Sequence, residues 1–184
     1  MKAYKGFDKN LKCRGFQFEE GKTHMEKEAN CAKNGFHCAE NPMDCMTYYP
    51  DWDRSVYYIV EAAGDINEDG CDSKISCTEL TLVKKLDKVD FIMESLQYID
   101  RYPGRNSNSC YVKDDSGDSG KLFLVVRGKA PVASGELGSV IGFAVERQDS
   151  KEIEFLSVFI VDGNRIQPGV KYNANGIAVE KEEA

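Results

Sequence analysis

The chain has 184 residues, 41% of them hydrophobic and 30% charged, with a formal net charge of -7. A chain of this length buries about 70% of its unfolded surface, as one large domain or two small ones, so folding requires neither disulfides nor a metal. The acidic balance excludes strong direct binding to nucleic-acid phosphates, which needs Lys and Arg; it fits a soluble body, or one that docks on a basic surface.

In chain order, AYKGF and RGFQF read as short aromatic strands split by a turn at residues 8–10. The polar stretch over residues 21–35 is bracketed by Gly21 and Gly35 and has no clear period. GFHCA is a strand, followed by Asn41 as N-cap and Pro42 at the first helical position, where a missing N–H costs nothing. That helix ends before Pro50. SVYYIVEAAG is a strand, and SKISCTELTLVKKL alternates around one phase shift, with Ile75, Cys77, Leu80 and Leu82 as its apolar points. Residues 87–101 form the one long helix, with Asp87 at its cap and an apolar stripe of Val89, Ile92, Met93, Leu96 and Ile99. Beyond it, residues 103–120 are rich in Gly, Ser, Asn and Asp and read as a loop or linker. The strands KLFLVVRG, SVIGFAVER and EIEFLSVFIVDG follow, closed by a segment with Asp-Gly, Pro-Gly and Asn-Gly turns.

The expected fold class is therefore α+β. A mixed α/β sheet part spans residues 1–102, a loop or linker 103–120, and an all-β part 121–184. In the last part, SGDSG, ASGELGS and IGFA place small residues at regular corners, which points to a short solenoid-like stack.

The seven cysteines, Cys13, Cys31, Cys38, Cys45, Cys71, Cys77 and Cys110, include no CxxC pair. No apolar run approaches the roughly 20 residues of a membrane span, and MKAYKGFDKN lacks the apolar stretch of a secretory signal. Reduced, mostly buried thiols in a cytoplasm are the expectation, with no membrane association.

GFHCAENPMDCMTYY carries the densest chemistry in the chain. Cys31, His37 and Cys38 with Cys13 or His24 offer no short paired spacing for zinc, so structural thiols are expected and no metal. His37 and Cys38 are neighbours in a strand and point to opposite faces, which prevents a thiolate–imidazolium pair. Asp65, Asn67, Asp69 and Gly70 match the front of a calcium loop, but the twelfth place holds Ser76 where a bidentate Glu belongs; an acidic β-turn is the expectation. There is no GxxxxGK[ST] and no GxGxxG after a strand, so no phosphate loop and no cofactor are indicated. No catalytic residue is assigned. The stretch as a whole reads as scaffold: Phe36 and Cys38 cannot share a face with His37, and one of the two sets packs inward.

Two resemblances add to this reading. YKG near the start, followed by GFHCAENPMDCMTYY, resembles the first two motifs of the ADP-ribosyltransferase fold, over about a quarter of the chain. That family carries Arg or His on the first strand where this chain has Lys5. Glu136, Glu152 and Glu154 are the acids available for a late strand. The resemblance implies, as an alternative, an enzyme that modifies a host protein with NAD.

Over most of its length, through AYKGFDKNLKCRGFQFEEGK, GFHCAENPMDCMTYYP and VDGNRIQPGVKY, the chain resembles a family encoded by gut bacteria and their phages. Its size and acidity are also similar to type II-A anti-CRISPR inhibitors. This second likeness implies a stoichiometric inhibitor in the cytoplasm of a bacterial host, a monomer or small homo-oligomer. It would bind a type II CRISPR nuclease, whose nucleic acids lie in a positively charged channel. The acids that would face such a partner are Asp51 and Asp53, then Asp65, Glu68, Asp69 and Asp72, then Asp114, Asp115 and Asp118.

Overall fold

The structure is a computed structural model that describes the whole chain except residues 32, 69, 71, 108 and 180–184. The chain is mostly strand, with two helices among the described residues. It divides into two compact units, Met1–Asp87 and Lys88–Ala184. The boundary thus falls before the long helix, whereas the composition shift placed it after, at residue 103. The helix packs on the strands that follow it.

The first unit contains β1 (Lys2–Asp8), the small hairpin β2 (Lys12–Cys13) and β3 (Phe16–Gln17), β4 (Thr23–Met25), β5 (Phe36–Ala39), α1 (Pro42–Tyr48), β6 (Ser55–Glu68) and β7 (Lys74–Leu86). β7 pairs with β6 and with β4 and β5, while β1 pairs with both β5 and β6, all antiparallel. The circuit β5–β7–β6–β1–β5 therefore closes on itself. Long strands enter so tight a closure only by bending, and β6 bends at register shifts after Ile59 and Ala63. Gly64 sits in the second shift with φ 71°, and a Cβ there would lie 2.1 Å from Thr78 Oγ1. The phase shift read in β7 is real: Ile75 and Cys77, then Leu80 and Leu82, all enter one core.

That core also takes Ala3, Phe7, Phe18, Phe36, Cys38, Tyr58, Val60 and Ala62. On the outer face of β1, α1 lies over Gly6, where a Cβ would meet the Tyr49 ring at 2.6 Å. Asn41 caps α1 by accepting from the Met43 N–H at 3.1 Å. Pro42, Met43, Cys45 and Met46 are buried beneath the helix.

The second unit opens with α2 (Lys88–Arg101), then β8 (Val112–Asp118), β9 (Phe123–Ser134), β10 (Val140–Glu146), β11 (Ile153–Ile160) and β12 (Tyr172–Asn173). β8, β9 and β10 are consecutive and pair in parallel. Parallel neighbours ordinarily need a crossover of about a dozen residues. Here residues 119–122 and 135–139 suffice, because the strands turn corners. The β8–β9 register breaks after Asp114, where Asp115 has φ 58° and Gly128 opposite it has φ 148°. Val112, Val125 and Gly142 thus stack in three successive layers.

Alternation along β9 and β10 gives two apolar faces. Leu124, Val126, Ala133, Ile141, Phe143 and Val145 join Val161, Ile166, Tyr172 and Ala174 in one core. The other face meets α2: Phe123 lies 5.5 Å from the Phe91 ring centroid, and Gly142 sits under Ile92 and Leu96. Met93 was expected in the helix's apolar stripe and is instead exposed; Phe91, Ser95 and Tyr98 complete the buried face with Ile92, Leu96 and Ile99. Ser95 fits there because its hydroxyl donates to Phe91 O at 2.7 Å.

The loop expected over residues 103–120 contains β8. The strand is mostly exposed and polar, so neither side-chain burial nor β propensity marks it. It exists because the backbone of β9 supplies its hydrogen bonds. The segment before it is fastened by Arg127, whose guanidinium donates to Pro103 O at 2.8 Å, to Arg105 O at 3.4 Å, and to Glu146 at 2.5–2.7 Å.

Two stability changes follow. A Cβ at Gly142 would fall 2.5 Å from Ile92 Cγ2 and 3.1 Å from Leu96 Cδ1. Gly142→Ala is expected to cost about 1–3 kcal/mol in urea unfolding, with part recovered by adding Ile92→Val. The Arg127 and Glu146 side chains are only 7% and 14% exposed. Arg127→Met alone is expected to cost about 3–5 kcal/mol, and pairing it with Glu146→Leu to restore most of that, since the single change strands a buried charge.

Candidate functional site

The acidic residues occupy turns and strand ends, where short side chains accept from local N–H groups. Asp51 accepts from the Asp53 N–H at 3.0 Å and pairs with Arg54 Nε at 3.3 Å; Asp51 and Asp53 are both exposed. Asp65 and Glu68 are exposed on β6 next to its turn into β7. Asp72 lies in that turn and accepts from the Lys74 N–H at 2.7 Å; Asp69 and Cys71 lie outside the described residues. In the second unit, Asp114, Asp115 and Asp118 are exposed along β8. Asp118 accepts from the Gly120 N–H at 2.8 Å and from the Ser134 hydroxyl at 2.5 Å.

The strongest concentration is on the first unit. Residues 61–72 hold five acids and no base. The Tyr48 hydroxyl donates to Asp72 Oδ2 at 3.2 Å and accepts from Lys74 Nζ at 3.2 Å, and Tyr48 is 53% exposed. A half-exposed tyrosine thus stands beside the acidic turn. In GFHCAENPMDCMTYY, Cys38 is buried and His37 half-buried, and the exposed aromatic is Tyr48, which the end of a short helix cannot bury.

A second feature lies inside the closed sheet. Lys5 shares a face of β1 with Ala3 and Phe7 and is buried. Its Nζ donates to His37 O at 2.5 Å, lies 3.6 Å from Cys13 Sγ, and sits 5.4 and 5.6 Å from the Phe7 and Phe18 rings. Among the described residues, no buried side-chain nitrogen or oxygen lacks a hydrogen-bond partner. A hydrogen bond with Cys77, and burial, hold the Cys38 thiol well above the usual range, and burial pushes Cys45 up to about 12. These inner cysteines are thiols in a packed core. Nothing in the sequence marks Lys5 as interior, since charged residues normally leave the core.

Asn67 Oδ1 accepts from the Cys31 N–H at 2.8 Å, and Ser76 is buried with its hydroxyl on Asn34 O at 2.6 Å, so both are engaged away from a calcium loop. Among the described residues no group of three His, Cys, Asp or Glu could hold a metal ion. Phe36 and Cys38 are buried while His37 points the other way and is half-buried. Glu136, Glu152 and Glu154 belong to the second unit, and Lys5 to the first. No helix of the described residues is long and apolar enough to cross a membrane.

Fold and surface together define a β-rich protein of two units whose first unit closes around a lysine and presents an acidic turn. The model of a family described as a domain of unknown function (DUF7666) matches residues 1–94, just over half of the chain, and the chain belongs to that family. The match covers the whole first unit and the first half of α2. No curated protein and no solved structure matches.

Burial first, then Lys5, Arg14 and Lys74, lower the His37 pKa. A histidine lowered on folding adds stability above its unfolded pKa of about 6.5 and loses it as pH falls toward the folded value. The stability of the chain is therefore expected to fall on acidification below that range. In His37→Gln the same titration should be shallower, which denaturant midpoints at pH 7.5 and 5.5 would show.

Proposed function

We propose that this chain is an acidic binding protein that occupies a basic, nucleic-acid-handling surface of another protein, and that its partner is a type II CRISPR RNA-guided nuclease of the bacterial host. The observation that carries this reading is the exposed turn of β6 and β7, with Asp65, Glu68 and Asp72 beside the half-exposed Tyr48. Charges of one sign speed encounter with an opposite surface, and an exposed tyrosine supplies contact area at low entropic cost. Both units are acidic: the first holds 12 basic and 16 acidic residues, net -4, and the second 12 and 15, net -3. The parallel, corner-turning β8–β9–β10 segment supports reading the second unit as a short solenoid-like body, with the acids of β8 on its edge.

The alternative, an ADP-ribosyltransferase-like enzyme, would place a polar group of the first strand toward a nucleotide. Lys5 is committed to His37 O within the core, which favours the binding reading.

Against a purified effector, inhibition is expected to saturate near one copy, or one small oligomer, per nuclease and to weaken as salt rises. Reversing Asp65, Glu68 and Asp72 to Lys should lower the on-rate about tenfold or more at low salt, while Asp65 and Glu68 each move fold stability by less than about 0.5 kcal/mol and Asp72, which accepts the Lys74 N–H, by about 1 kcal/mol. Trace amounts that inactivate an excess of effector only when NAD is present would overturn binding in favour of enzymatic turnover. Failure to bind any effector at low salt would sink the proposed partner.

A further inference from the structure

Cys13 differs from the other described thiols. Cys38, Cys45 and Cys77 are buried, Cys110 is exposed, and the half-buried Cys31 donates to Lys74 O at 3.7 Å and not toward an amine. Cys13 is half-buried at the rim of the closed sheet, where it packs against the core from β2. Its Sγ lies 3.6 Å from the amino nitrogen of Lys5. That amine cannot swing away, because Lys5 is 5% exposed and its Nζ is held on His37 O at 2.5 Å.

The sulfur is fixed as well. Asp8 Oδ1 accepts from the Asn10 and Lys12 N–H groups at 2.9 and 2.8 Å. The Gln17 amide donates to Asn10 O at 2.7 Å and to Phe18 O at 3.0 Å. Leu11 and Arg14, on either side of β2, have φ of 58° and 49°. Non-glycine residues hold such conformations only where the surroundings determine them, so the hairpin is set in one geometry. Two reactive groups held in contact, one reachable from solvent, meet the condition for an intramolecular reaction.

We propose that Lys5 and Cys13 form a modification site, joined on oxidation through one bridging oxygen as Nζ–O–Sγ. The oxidant is a peroxide. Hydrogen peroxide first converts the Cys13 thiol to a sulfenic acid and releases water. A second peroxide then takes two electrons as one N–H bond of Lys5 Nζ and the sulfenic O–H bond break and the N–O bond forms, with two more waters and the ammonium proton released to solvent. The protein gains one oxygen and loses two hydrogens. Two equivalents of a dithiol reverse the link, giving four electrons as they become disulfides, reducing the S–O and N–O bonds and returning thiol, amine and water. The crosslink fastens the β2–β3 hairpin to β1 at the rim of the core.

The test is graded hydrogen peroxide on the reduced full chain, read by intact mass and peptide mapping. The expected product carries one added oxygen less two hydrogens, on linked peptides containing Lys5 and Cys13. It resists trypsin after Lys5 and is lost on treatment with dithiothreitol. Cys110→Ser should keep this product and Cys13→Ser should abolish it, with circular dichroism and unfolding midpoint confirming that each variant folds. The wild-type map is decisive by itself. Sulfinic acid at Cys13 with Lys5 still cleaved by trypsin would overturn the proposal. So would a disulfide to Cys13, a Lys5–Cys13 link lacking the oxygen, or oxidation of Cys110 while Cys13 stays reduced.

Discussion

A closed circuit of only four strands has little interior, and in this protein part of that interior is the side chain of a lysine. Burying an amine among aromatic and aliphatic groups is costly unless its polar end is satisfied. The solution is local. β5 brings the His37 carbonyl to Lys5 Nζ, and the Phe7 and Phe18 rings lie beside it. Much of the first unit answers to this placement. β1 must pair with both β5 and β6, so the circuit closes around it. β6 must bend at Gly64 to reach β7 along its whole length. The β2–β3 hairpin covers the rim and contributes Leu11 and Cys13 to the packing. The outer face of β1 is then sealed by Tyr49 and α1 over Gly6.

The second unit is organised by a different constraint. Consecutive parallel strands joined by four or five residues must turn corners, and residues able to do so are placed opposite one another at Asp115 and Gly128. Once the chain coils in this way, alternation along β9 sends Leu124 and Val126 to one core and Phe123, Val125 and Arg127 to the other face. Arg127 ends that row as a buried cation. It is matched by Glu146 and used to anchor the segment after α2. The serines of the corners are absorbed in the same layering: the Ser119 hydroxyl donates to Ser139 Oγ at 2.7 Å, filling the space that the absent side chain of Gly135 leaves.

The acidic surface follows from turn chemistry before it serves any partner. Asp51, Asp72 and Asp118 each accept a backbone N–H two residues on, which is why aspartate recurs at these turns. Such a residue keeps its charge in solvent. Turn formation and electrostatic steering therefore draw on the same side chains without competing. Tyr48 stands apart from this logic. It is tied to Asp72 but contributes little to the core, which makes it the part of the acidic turn least explained by folding.

Local rules determined a good deal from the sequence alone. Asn41 and Pro42 marked the start of α1 through capping. SVYYIVEAAG read as a strand and the shifted phase of SKISCTELTLVKKL marked β6 and β7, and the apolar spacing over residues 87–101 marked α2. The opposition of His37 to Phe36 and Cys38 was legible because strand side chains alternate. Each of these signals is carried within a few residues. Tertiary structure alone decided the rest. β8 is polar and exposed, so only the backbone of β9 makes it a strand. Met93 left the apolar stripe and Ser95 entered the buried face because sheet contact, not hydrophobicity, sets which helical positions are covered. The division into units fell before α2 because that helix packs on strands still to come in the chain. Lys5 is interior because of strand pairings across more than thirty residues. No local pattern encodes a contact of that range, since it exists only when the circuit of strands has closed.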